Sequence, residues 1–399
     1  MSKNNVWLVD AVRTPVGKHG GILSSIRPDD LGAIVLKEIV KRNNICFDDL
    51  EGIYLGCTNQ AGEDSRNVAR MSLLLADFPD SIPACTVNRL CGSGLEAVSI
   101  AAKNILVGEG DIYIAGGVES MSRAPWAMAK VDKPFKMGDL TAYDTTIGWR
   151  FTNTEMIKRG HTDSLGMTAE NLAEMYKIPR EEQDKFSLLS HQKAIKAIDT
   201  GLFKDQILPV ETKNGLVDTD EGPRRDTSLE KLSKLKAVFK KGGSVTAGSS
   251  SQINDGSAAI LLVSEEYGKV HGLKPIAKIV ASAVAGVPPR IMGIGPVPAT
   301  KKVFERTKLT MDDIDIIELN EAFAAQSLAV LKEWGLDMED ERLNPNGGAI
   351  ALGHPLGATG AILMTKMLYE FMRRDDLHFG LLSMCIGVGQ GISMIVEKL

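Results

Sequence analysis

The feature that most restricts how this 399-residue chain can fold is an internal repeat. A helix-patterned stretch over residues 29–42 leads into Phe47-Asp48-Asp49-Leu50-Glu51-Gly52-Ile53-Tyr54-Leu55. A second, over 299–308, leads into Met311-Asp312-Asp313-Ile314-Asp315-Ile316-Ile317-Glu318-Leu319. Both read as an amphipathic helix, a short acidic turn and a buried strand. Further on, each copy has a Gly-rich turn that opens a helix: Cys91-Gly92-Ser93-Gly94 in the first, His354-Pro355-Leu356-Gly357 in the second. The offset from residue 47 to 311 is 264, and from 91 to 354 it is 263, so the two matches share one register. Each copy continues as a helix (92–107 and 356–372) and then a strand (111–115 and 379–383). Short apolar strands alternating with helices predict an α/β protein with mostly buried sheets.

The repeat predicts two similar domains, 1–270 and 275–399. The first is interrupted at about 120–245 by a charged, Met-rich stretch that fits neither copy. That stretch reads as a loop domain with one clear helix over 180–200, bounded by Pro179 and Gly201. Hydrophobic residues make up 44% and charged residues 24%, as in a globular protein. A net charge of −5 gives no basic field for nucleic acid or anionic lipid, so an anionic substrate requires a local basic patch. The N-terminus lacks the layout of a secretory signal, and no apolar run reads as a membrane span. Five cysteines at irregular spacing (Cys46, Cys57, Cys85, Cys91 and Cys385) suggest reduced thiols, no disulfide scaffold and no metal cluster. The expected compartment is the cytoplasm.

Two positions carry chemistry at the repeated helix starts. A thiol at Cys91 is expected to feel unsatisfied N–H groups and the positive helix end, which favour the thiolate and a lowered pKa. The same N–H groups can hold an oxyanion. The alternative is a small buried hydrophobe. His354 lies among five glycines of the segment 347–360, and imidazole is the natural base for a cysteine near neutral pH. Its alternative is a histidine satisfied in a tight turn. His19, His161, His191, His271 and His378 have no such surroundings. Cys385, in Ser383-Met384-Cys385-Ile386-Gly387, ends a strand where open α/β folds place functional groups. A thiol there suits proton transfer beside a thioester, and a buried core cysteine is the alternative. Asn320, in Asn320-Glu321-Ala322-Phe323-Ala324, could hold a water, orient the histidine or cap a helix.

The ordered set of four motifs resembles the thiolase family over essentially the whole chain. The motifs are Asn88-Arg89-Leu90-Cys91-Gly92-Ser93-Gly94, Asn320-Glu321-Ala322-Phe323-Ala324, the segment 347–360, and Cys385-Ile386-Gly387. The resemblance implies two pseudo-twofold-related βαβαβαββ halves stacked in five layers, with an inserted loop domain over the substrate. It implies an acyltransferase that cleaves a 3-ketoacyl-CoA with coenzyme A as co-substrate and no permanently bound cofactor or metal. The partners it implies are CoA thioesters and further copies of the chain, as a homodimer or homotetramer. Carried over to this sequence, Cys91 is the acylated nucleophile. His354 activates it and shares an oxyanion hole with a water on Asn320. Cys385 moves the α-carbon proton, and the N–H groups of Cys91 and Gly387 form the second oxyanion hole. Arg224, Ser251, Met292 and Phe323 become contacts for CoA or the pocket wall.

One departure bears on the substrate. Acetoacetyl-CoA thiolases carry His-Met-Gly before Thr-Ala-Glu-Asn, whereas this chain has Ser164-Leu165-Gly166-Met167-Thr168-Ala169-Glu170-Asn171. The segments 61–70 and 143–150 are instead similar to β-ketoadipyl-CoA thiolases. A substrate with a distal carboxylate needs a cation, for which Arg66, Arg150 and Arg159 are candidates. The general 3-ketoacyl-CoA reading is taken first, with acetoacetyl-CoA and β-ketoadipyl-CoA as alternatives. Carrier-protein condensing enzymes, a cysteine hydrolase built from Cys91, His354 and Asn320, and a non-catalytic acyl-CoA binder are the competing classes.

Overall fold

The computed structural model describes residues 5–135 and 137–399. Its strands run in the order Ala84–Val87, Gly52–Gly56, Ile112–Ser120, Asn254–Ser264, Val6–Arg13, Ala277–Gly286, Gln390–Lys398, Phe379–Ile386 and Ile316–Leu319. The first five belong to the first copy of the repeat and the last four to the second. They join through a short antiparallel contact, Trp7 with Lys278 and Leu8 with Ala277. Within each copy the register repeats: Gly52–Gly56 lies parallel to Ile112–Ser120, and Ile316–Leu319 lies parallel to Phe379–Ile386. The match is incomplete at one strand. Ala84–Val87 pairs with Gly52–Gly56 over four residues, but its counterpart in the second copy shrinks to the single bridge Ile317–Leu343.

Side-chain alternation builds the five layers. Along the wholly buried strand Asn254–Ser264, Ala258, Ile260 and Leu262 face a central core, while Ala259, Leu261 and Val263 face an outer one. The outer core is closed by the helix Pro28–Asn43. The central core holds the helices Ser93–Val107 and Leu356–Arg373 between the two halves of the sheet. A third core, around Val303, Leu328 and Leu381, lies on the far side, under the helices Pro296–Thr307 and Ala324–Trp334. The segment Leu90–Val107 has the length and mean apolarity of a membrane span, although Glu96 and Lys103 interrupt it. It is a core helix instead, apolar because both sheet halves and a partner helix cover it.

The two central helices meet backbone to backbone. A Cβ on Gly94 would lie 2.8 Å from the Gly357 oxygen and 2.9 Å from the Ala361 nitrogen. One on Gly360 would lie 2.3 Å from the Leu95 nitrogen. Only glycine permits this approach, and it brings the two repeated helix starts together. The inserted segment is more helical than expected. Beside Arg180–Asp199 it forms Leu165–Tyr176, started by Ser164, whose Oγ accepts from Met167 N at 3.3 Å. Gly166 and Thr168 are weak helix formers and mask it in the sequence.

Gly94→Ala should lower stability by about 1–3 kcal/mol, because the rigid backbone of the facing helix has to move. Urea unfolding measures this, and an unchanged midpoint would mean that the helices separate freely.

Candidate active site

Cys91 lies between a strained turn and a helix. Leu90 takes φ 45°, in the left-handed region that costs a bulky residue about 1–2 kcal/mol. Ser93 stitches this turn: its Oγ donates to Leu90 O at 2.6 Å and accepts from Arg89 N at 2.8 Å. The helix begins at Ser93, two residues beyond the cysteine. On the opposite wall Val388, at φ 63°, follows Gly387. The N–H groups of Gly387 and of Cys91 itself both point at the Cys91 thiol. Two strained turns thus converge two backbone donors on one sulfur.

The expectation of a lowered thiol pKa is not met. Burial pushes Cys91 up to about 11, and the two N–H groups only partly oppose it. Withdrawal from water outweighs the helix end because the helix starts beyond the cysteine and the sulfur is enclosed. Cys385, at the end of the strand Phe379–Ile386, is also buried and raised, first by burial and then by the charge of Cys91. Each thiol therefore rests as the neutral S–H form and needs a base.

His354 supplies a free ring nitrogen. Its backbone N–H donates to Asn254 Oδ1 at 2.8 Å, and its Nδ1 lies 2.6 Å from Thr359 Oγ1. The Thr359 hydroxyl donates to Pro355 O at 2.9 Å, so it accepts from Nδ1–H and leaves Nε2 as the lone pair. Burial lowers His354 to about 4, which keeps the ring neutral at pH 7. Asn320 Nδ2 lies 3.4 Å from Nε2, while its Oδ1 is buried without a protein partner. The cap alternative for Asn320 falls away, because the helix Ala324–Trp334 starts four residues later.

A cavity of about 350 Å³ opens on Cys91 and is walled by Leu90, Gly387, Val388, Met292 and Leu356. Met292, Phe323 and Cys385 share one apolar cluster with Val245 and Ala169. Arg224 and Ser251 do not line this cavity. Arg224 is exposed, and its backbone N–H donates to His191 Nδ1 at 3.2 Å. Ser251 is half-buried and donates its N–H to Ala322 O at 2.9 Å, which ties its segment to the Asn320 turn. Of the three candidate cations, Arg150 lines the cavity, whereas Arg66 and Arg159 are exposed away from it. The wall also includes Thr145 and Trp149, from the segment 143–150, and Thr58, Asn59 and His161, which the sequence did not mark for the site. His161 follows the single turn glycine Gly160 at the end of a short helix, without the glycine-dense helix start that marks His354. It reaches the cavity because the inserted segment folds over Cys91.

Family models described as "Thiolase, N-terminal domain" and "Thiolase, C-terminal domain" match residues 6–266 and 273–398. The chain belongs to the thiolase family and is an acyltransferase of that family. It is 53% identical to the 3-oxoadipyl-CoA/3-oxo-5,6-dehydrosuberyl-CoA thiolase of Escherichia coli strain K12, over 98% of this chain and 99% of the relative. It is 52% identical to the β-ketoadipyl-CoA thiolase of Pseudomonas knackmussii, with the same coverage. Among solved structures, human mitochondrial 3-ketoacyl-CoA thiolase in complex with CoA superposes with a TM-score of 0.92 at 39% identity, covering 99% of this chain and 98% of that one.

His191 gives the site's edge a pH dependence. Burial, helped by the charge of Arg224, lowers it to about 4 from 6.5. Its neutral form is stable above pH 6.5, and that stability is lost as the pH falls towards 4, because the unfolded chain takes up the proton first. Between pH 7.5 and 5 the wild type should lose about 2 kcal/mol more than His191→Asn, whose Oδ1 can still accept from Arg224 N. Urea unfolding at the two pH values measures the difference, and parallel losses would mean that His191 titrates normally.

Proposed function

We propose that the protein catalyses CoA-dependent thiolysis of a 3-ketoacyl-CoA whose acyl chain ends in a carboxylate, 3-oxoadipyl-CoA being the first candidate. The observation that carries this reading is Arg150 on the wall of the cavity that opens on Cys91. A guanidinium there can pair with a distal carboxylate through two parallel hydrogen bonds. The names of the relatives at 52–53% identity favour this alternative over the general 3-ketoacyl-CoA reading. The Ser164 hydroxyl, where acetoacetyl-CoA thiolases have histidine, is spent as a helix cap.

The mechanism follows from the neutral thiol–imidazole arrangement. His354 Nε2 takes the Cys91 proton as the sulfur attacks the 3-keto carbon, and the oxyanion that forms on that carbon is held by the N–H groups of Cys91 and Gly387. The bond between the α- and β-carbons breaks. The acyl group stays on Cys91, and the enolate oxygen of the departing acetyl-CoA is held by the protonated His354 and a water on Asn320. Cys385 gives its proton to the enolate carbon. CoA then enters, its thiol proton goes to the Cys385 thiolate, and its sulfur attacks the acyl-enzyme. Cys91 leaves and recovers its proton from His354. With 3-oxoadipyl-CoA the acyl group carried is a four-carbon unit with a free carboxylate. A homodimer or homotetramer is the proposed assembly.

A thiolysis panel of acetoacetyl-CoA, a medium-chain 3-ketoacyl-CoA and 3-oxoadipyl-CoA with free CoA tests the reading. The last should give the highest kcat/KM, and no CoA-dependent cleavage of any of them would sink the thiolysis assignment. Arg150→Gln should lower kcat/KM for 3-oxoadipyl-CoA by about 10- to 100-fold, the worth of a charge-assisted hydrogen bond. Acetoacetyl-CoA turnover should stay within about threefold, and an equal loss on both would remove Arg150 from carboxylate recognition. Cys91→Ser should not retain label from acetyl-CoA. Cys385→Ser should still be labelled yet turn over poorly, and equal loss of labelling in both would contradict the division of roles.

A further inference from the structure

Glu119 is a fully buried carboxylate at the end of the strand Ile112–Ser120, and the mechanism above does not use it. Its Oε2 accepts from Thr58 N at 2.9 Å, from Thr58 Oγ1 at 2.8 Å and from Gly357 N at 2.8 Å. Its Oε1 accepts from Asn59 N at 3.2 Å and faces Cys57 Sγ at 3.8 Å. All these donors are neutral. A set made only of donors suits an acceptor-only group, the ionised carboxylate. Burial pushes Glu119 up, and its hydrogen bonds to Thr58, Gly357 and Asn59 oppose that.

The contacts join the two halves of the site. Gly357 opens the helix Leu356–Arg373, three residues past His354. Thr58 and Asn59 are cavity wall, and Asn59 Nδ2 reaches Thr145 Oγ1, also on the wall, at 3.3 Å. The packing leaves this helix start little freedom: a Cβ on Gly117 would lie 2.1 Å from Gly357 O, and one on Gly357 would lie 2.6 Å from Cys57 Cα. We propose that Glu119 is a positioning residue for the Cys91 reaction, fastening the start of the His354 helix to the Thr58 and Asn59 wall of the acyl cavity. This rests on the thiolysis reading. Its negative charge also reaches Cys91. The other titratable groups nearby are Cys57, with Asp64 3.9 Å beyond it, and on the Cys91 side Cys385 and His354.

Glu119→Gln keeps the shape but removes the charge and turns an amide N–H towards existing donors. The test measures thiolysis of 3-oxoadipyl-CoA and acetoacetyl-CoA, and the pH profile of Cys91 alkylation by iodoacetamide, followed by peptide mass spectrometry. In Glu119→Gln, kcat should fall about tenfold or more with KM within about threefold, as expected when aligned reacting groups lose their geometry. Alkylation should move to lower pH, because a like charge has gone. Thr58→Val keeps the carboxylate and removes one donor. It should lose kcat about threefold with an unmoved alkylation profile, and it stands in if Glu119→Gln does not fold. Wild-type kcat in a folded Glu119→Gln, a kcat loss without the alkylation shift, or wild-type kcat in Thr58→Val would each overturn the proposal. Failure of the thiolysis reading is told apart by the wild type, which would then cleave neither substrate.

Discussion

The contact on which the site depends is the backbone-to-backbone crossing of two helices at Gly94, Gly357 and Gly360. A helix pair spaced by ordinary side chains lies about 8–10 Å apart, and a closer approach needs positions without Cβ. Here the close approach sits at the N-terminal ends, so the segments just upstream, ending in Cys91 and His354, are drawn to the same place. The wholly buried neighbouring strands Ile112–Ser120 and Asn254–Ser264 of the first half back the helices at that depth. A small change at a glycine is therefore felt at the chemistry, because a close-packed interior transmits displacement.

That depth also sets the electrostatics. Burial raises both thiols and lowers His354, so the resting site is neutral throughout. A thiolate–imidazolium pair would need two charges held in an enclosed space, whereas a neutral pair moves one proton only when the sulfur attacks. The backbone donors at Cys91 and Gly387 carry no net charge, and the strained turns at Leu90 and Val388 fix their direction. Preorganised dipoles of this kind act most strongly where water is excluded. The buried carboxyl group nearby, Glu119, is met by neutral donors only.

In the proposed reaction the inserted segment supplies selectivity rather than reactivity. It brings Thr145, Trp149, Arg150 and His161 over a cavity whose reacting groups all come from the repeated halves. The substrate can therefore change with that segment while the reacting groups stay fixed, as is common when loops decorate a rigid scaffold. Trp149 Nε1 donates to Asp163 O at 3.2 Å, which ties the wall to the turn before the helix Leu165–Tyr176.

The sequence by itself determined the duplicated α/β plan, the two helix starts, and Cys91, His354, Cys385 and Asn320 as chemical candidates. These are local signals: a strand end, a glycine turn and a helix lie within a few residues of each other, so spacing alone reveals them. It also narrowed the cation to three arginines. Only the tertiary structure decided that Arg150 faces the cavity, that His161 joins it, and that the third strand of the second half is a single bridge. It alone raised the Cys91 pKa where the helix start had suggested a lower one, since desolvation depends on everything packed around the sulfur. The partners of the site were equally hidden. Asn254 reaches His354 across 100 residues, and Glu119 reaches Gly357 across 238. Hydrogen bonds between such distant positions leave no periodicity in the chain, so they become legible only once the glycine crossing has brought the two halves together.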